Sequence, residues 1–64
     1  MDYDDIKNKM INVIYSCETS EQLIMAVTYC NLLISKKARS SYDKILLRNS
    51  LLLNSQVKRM TIFQ

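Results

Sequence analysis

Neither glycine nor proline occurs anywhere in the 64 residues of this chain. Glycine is the residue that enters positive φ without steric cost, and proline presets the other common turn position. Tight β-hairpins therefore have almost no means of reversing this chain. An all-β fold is disfavoured, and helices joined by short stretches of ordinary backbone remain. Histidine is also absent, and Cys17 and Cys30 are the only cysteines. A three- or four-ligand zinc site of the ordinary kind cannot be assembled from that set, and no histidine is at hand as a general base. We expect no metal and no cofactor.

Hydrophobic periodicity divides the chain into three helical segments over about 2–16, 20–37 and 41–60, forming a single helical domain over 1–64. In the first, Tyr3, Ile6, Met10, Val13, Ile14 and Cys17 recur at spacings of three and four, and Asp2, Asp4 and Asp5 suit the positive end of its dipole. Thr19 followed by Gln22 is a capping-box pattern that starts a second helix near Ser20. Ser40 with Asp43 is a weaker signal of the same kind. Leu23, Ala26, Val27, Cys30, Leu33 and Ile34 make the main stripe of helix two. In helix three the longest stripe is Tyr42, Ile45, Leu46, Asn49, Leu52, Leu53, Val57 and Met60, which is expected to face the core with Asn49 as a polar device fixing register. The expected fold is all-α, a small three-helix bundle in which helices two and three form an antiparallel hairpin and the first lies across both.

Once one face of each helix is assigned to that core, apolar residues are left over. Helix two leaves Met25, Tyr29 and Leu32, and helix three leaves Leu47 and Leu51. A chain this short buries only about 60% of the surface it exposes when unfolded, so a monomer would display a large apolar patch. Self-association is expected, as a symmetric dimer with helix two near the interface, and Met25, Tyr29, Leu32, Leu47 and Leu51 are the candidate self-association or partner-binding residues. Coverage of Met25, Tyr29 and Leu32 by Ile62 and Phe63 is the competing arrangement.

Charge is unevenly divided. Residues 1–22 carry five acids against two lysines, a net of −3, whereas residues 23–64 carry seven cations against Asp43 alone, a net of +6. Lys36, Lys37, Arg39, Lys44 and Arg48 cluster around the second connection and are the candidate basic contact patch, for an acidic partner or for nucleic acid. Against a helix-turn-helix reader, the turn has no glycine, and helix three carries leucines where base-reading side chains would need to be polar. Catalysis finds little equipment: Asp2, Asp4 and Asp5 stand at a chain terminus, the cysteines have no histidine partner and no glycine loop cradles a phosphate. We expect no enzymatic activity.

The run Cys17-Glu18-Thr19-Ser20-Glu21-Gln22-Leu23 is similar to the C-x-T-x-[DE]-x-L stretch of the Hha/YmoA family of small helical nucleoid-associated regulators, which bind a DNA-binding partner. The likeness covers seven residues, carries over no functional residue, and implies at most a mode of action in which a tiny helical protein binds a larger regulator. No apolar run is long enough to span a bilayer, Leu23 to Ile34 being the longest near-apolar one, and Met1-Asp2-Tyr3-Asp4-Asp5 does not resemble a signal peptide. A cytoplasmic, reduced protein is therefore expected. Richness in Ile, Asn, Lys, Ser and Tyr fits an AT-rich genome and the compact accessory proteins of phages and mobile elements. The function expected from sequence is a non-enzymatic protein-interaction module that dimerises and docks on a larger protein as inhibitor, adaptor or regulator. The alternative is a small nucleic-acid-binding regulator working through the basic turn.

Overall fold

The computed structural model describes residues 2–62. Three helices follow one another, α1 (Tyr3–Tyr15), α2 (Ser20–Lys37) and α3 (Ser41–Ile62), and each packs against the other two. The result is an all-α three-helix bundle, a rod 36 Å long and 15 Å across. Helices α2 and α3 run antiparallel, with Ser35 beside Arg48 at one end and Ser20 across a cleft from Arg59 at the other. Helix α1 runs parallel to α3, since its last residue, Tyr15, meets Asn54 and Lys58.

The chain turns both corners without entering positive φ anywhere among the described residues. Each helix instead begins on a capping side chain, offered from extended backbone at Asp2 and Thr19. The Asp2 carboxylate accepts from the Asp5 amide at 2.9 Å, Thr19 Oγ1 from the Gln22 amide at 3.2 Å, and Ser40 Oγ from the Asp43 amide at 3.1 Å. Gln22 Oε1 returns to accept from the amide of Glu18 at 2.8 Å, one residue before the cap itself. Helix α2 stops at Ala38, whose extended backbone (φ −69°, ψ 135°) carries the chain across to Ser40.

The core is drawn from Ile6, Met10 and Ile14 of α1, Cys17 of the first connection, Leu23, Ala26, Cys30, Leu33 and Ile34 of α2, and Leu47 and Leu51 of α3. This corrects the expectation for helix three. Leu47 and Leu51 are 0% and 4% exposed, while Leu53, in the stripe expected to face the core, is 63% exposed. The helix is turned so that its longest apolar stripe faces outward.

Hydrogen bonding supplies the reason. Facing the core with the longer stripe would bury the Asn49 carboxamide among leucines, at a cost of about 1–3 kcal/mol if unpaired. In the observed orientation no described buried side-chain nitrogen or oxygen lacks a partner. Ser55 is small enough to sit in the core and donates to the Leu52 carbonyl at 2.9 Å. Asn54 is held by Ser50 and accepts from the Tyr15 hydroxyl at 2.9 Å. Lys58 Nζ donates to the Tyr15 carbonyl at 3.2 Å, bringing a cation to the end of α1, whose own last turn has none. The polar residues of α3 thus form its contact with α1.

Leu47→Ala should lower the unfolding free energy by about 2–5 kcal/mol, and Leu47→Asp should abolish cooperative folding. Leu53→Asp should leave the helical circular dichroism signal in place. The opposite ranking would mean that α3 is rotated.

Candidate functional site

Among the described residues no group of three or more Cys, Asp and Glu could hold a metal ion, and no helix is long and apolar enough to cross a membrane. What the bundle presents is surface. Among the described residues eleven large apolar side chains are exposed, from Tyr15 and Ile24 to Met60, as many as there are apolar residues in the described core. Apart from Tyr15 at the end of α1, they lie on α2 and on α3.

On α2, Met25, Tyr29 and Leu32 follow one another at spacings of four and three on the side opposite the buried Cys30 and Ile34. Met25 is 73% exposed and Leu32 54%, so neither is covered by the described residues, and Ile62 packs instead on the core. Phe63 lies outside the described residues. Leu47 and Leu51, grouped with this patch from sequence, are withdrawn from it, because both stand in the interior.

Beside the patch, between α1 and α2, lies a hollow of about 320 Å³ floored by Tyr29, Leu32 and Leu33 and rimmed by Lys9, Lys36 and Lys37. Two groups that the sequence keeps apart, the apolar residues of mid-α2 and the lysines of its last turn, therefore meet. Lys9 joins them although no local pattern marks it. Val13 packs near Met25, Ala26 and Tyr29, so counting back one turn along α1 in an antiparallel pair brings Lys9 level with the end of α2. A second hollow on the other side of Tyr29 is lined by Val13, Ser16, Cys17, Gln22, Met25 and Ala26.

The basic patch is divided by the fold. Lys36 and Lys37 face the hollow with Lys9, whereas Arg48 reaches over the α3 side to Ser35, its Nη2 donating at 3.4 Å. Arg39 is exposed in the connection, and Lys44 is half-buried on α3. Because α1 is parallel to α3, Asp2, Asp4 and Asp5 stand at the same end of the rod as this connection. The charge asymmetry of the sequence is thereby partly cancelled in space.

A third recess, about 540 Å³, opens between α2 and α3, lined on α2 by Leu23, Ile24 and Val27 and on α3 by Leu52, Ser55 and Arg59. Under this surface, Cys17 and Cys30 are free thiols and both buried. Burial pushes the Cys30 thiol up from 9.0 to about 11, with Cys17 acting in the same direction. Such a thiol is a core residue, protonated and inert at neutral pH.

Comparison with family models, with curated proteins and with solved structures returns no match in any of the three. The seven-residue likeness around Thr19 is accounted for within this chain by the cap of α2, in which Thr19 and Gln22 both make hydrogen bonds and Cys17 and Leu23 enter the core.

The Cys30 shift sets a pH dependence. Between pH 9 and about 11 the unfolded thiol releases its proton while the folded one keeps it. The unfolded state then binds fewer protons, so stability falls as pH rises through that window. Urea denaturation of wild type and Cys30→Ala across pH 8–11 should show a steeper decline for wild type. Equal slopes would mean that the thiol titrates alike in both states.

Proposed function

We propose that this protein acts by binding another protein, as a non-enzymatic inhibitor, adaptor or regulator, and that the partner docks on the α1–α2 side of the rod. The observation that carries the reading is the α1–α2 hollow, where an apolar floor of Tyr29, Leu32 and Leu33 meets the lysines at positions 9, 36 and 37. Such a site suits an amphipathic segment that presents an apolar side chain flanked by carboxylates. The exposed Met25 extends the apolar contact along α2. An apolar anchor with a charged rim is the usual division of labour in an interface, the anchor supplying affinity and the rim speeding and orienting encounter.

Nucleic acid is the weaker reading. Phosphate contacts need cations aligned along one face, and here Arg48 is turned away from Lys36 and Lys37 while three aspartates share their end of the rod. A location in the cytoplasm and an origin in a phage or mobile element belong to the same proposal and rest on the sequence alone.

Affinity capture with wild type, Leu32→Asp and the double variant Lys36→Glu/Lys37→Glu tests the proposal. The expected result is one protein retained by wild type, bound at least about tenfold more weakly by each variant once purified, with the charge variant losing mainly association rate. Retention that is unchanged in both variants, or that disappears on nuclease treatment, would overturn it.

A further inference from the structure

The outward face of α3 has no partner within the chain. Tyr42, Ile45, Leu52, Leu53, Val57 and Met60 are all exposed, Met60 at 69%. Side chains of this size at such exposures present on the order of 700 Å² per chain, against about 800 Å² per partner in a standard stable interface. No charge of α3 stands among the six apolar side chains of this face; the charges border it. Asp43, Lys44 and Lys58 are half-buried, and Arg48 and Arg59 flank the face along its α2 edge, Arg48 at Ser35 and Arg59 in the α2–α3 recess that Leu52 also lines.

The order of residues along the face has a symmetry of its own. Ile45, Asn49, Leu52, Leu53, Gln56 and Met60 are spaced four, three, one, three and four apart. The pattern reads apolar, amide, apolar, apolar, amide, apolar in both directions. At about 100° per residue all six fall within one side of the helix. A pattern that reads the same in both directions is self-complementary under a two-fold rotation, which is what an isologous interface requires.

We infer that this face pairs with the same face of a second copy, antiparallel, with the two-fold axis between Leu52 and Leu53 and with each Asn49 amide opposite Gln56 of the second copy. The two amides then satisfy each other where a lone amide among leucines would be costly, and they define the register as a buried asparagine does in coiled coils. Ile45 faces Met60 of the second copy at each end. Charge favours the antiparallel sense. A parallel pair would bring both lysine-rich α2–α3 connections together, with Asp2, Asp4 and Asp5 at that end offsetting only part of their charge, whereas the antiparallel pair sets each beside the opposite end of the other rod, where Glu18 and Glu21 balance Lys58 and Arg59. The interface moves from α2, expected from sequence, to α3, and the α1–α2 hollow stays free on both copies.

Sedimentation across a dilution series tests the pairing. Wild type should have twice the mass of the 7.5 kDa chain at the upper concentrations and dissociate on dilution. Leu53→Glu should weaken dimerisation by more than about tenfold with its helical signal intact, and Leu32→Glu should leave it unchanged. Gln56→Lys should also weaken it, and adding Asn49→Glu to the same chain should restore it, because only the antiparallel register sets those two positions against each other. Orientation is read from disulfides: a mixture of Ile45→Cys and Met60→Cys chains should cross-link to each other, and neither to itself. A wild type monomeric at every concentration, a Leu53→Glu chain that dimerises as tightly as wild type, absence of rescue, or self-linked Met60→Cys chains would each overturn the inference. None of these outcomes bears on the α1–α2 hollow, whose test is separate.

Discussion

The hydroxyls of Thr19 and Ser40 do here what glycine does in most helical hairpins. A helix commonly ends by passing one residue through the left-handed region, which folds the chain back and satisfies its last carbonyls. This chain has no residue suited to that, and its described backbone never goes there. Reversal is managed at the start of the following helix instead, where the hydroxyl of the residue before the helix takes up a free amide. The carbonyl end of α1 is held in part by its own neighbours, Ser16 Oγ and Cys17 Sγ both donating to the Val13 carbonyl. The Tyr15 carbonyl beyond them takes its donor from another helix, through Lys58, and so the placement of α3 and the last carbonyl of α1 are coupled.

That coupling explains why the longer apolar stripe of α3 loses the competition for the core. Counting apolar side chains favours burying Tyr42 to Met60, but doing so strands a carboxamide and removes Asn54 and Lys58 from α1. The chosen face has only Leu47 and Leu51 as large interior side chains, with Ser55 admitting close approach of the helices. Packing in so small a core is decided by whether every polar atom finds a partner as much as by apolar area. The apolar area that remains outside is the material from which both proposed binding surfaces are drawn.

Features encoded within a few residues of one another were legible in the sequence. The three helices, the Thr19 and Ser40 caps and the core faces of α1 and α2 all follow from spacing and from cap chemistry over one or two turns. Which side of α3 faces inward did not follow, because the deciding hydrogen bonds join residues about forty positions apart, Tyr15 with Asn54 and Lys58. The same holds for the candidate site. Met25, Tyr29 and Leu32 stood out as surplus on one helix, whereas Leu47 and Leu51 were misassigned with them, and Lys9 acquired meaning only when α1 was laid along α2. The division of charge between the two halves of the sequence was plain, yet a parallel α1 and α3 fold the acids back toward the bases.

A chain that reverses direction through ordinary backbone angles also carries no built-in clock. Slow phases in small proteins commonly come from proline isomerisation, and there is no proline to isomerise. With two short connections and contacts mostly between sequence-adjacent helices, assembly proceeds on the microsecond-to-millisecond scale typical of helical bundles. The slow, concentration-dependent step left to such a chain is then the meeting of two folded surfaces, not the making of either one.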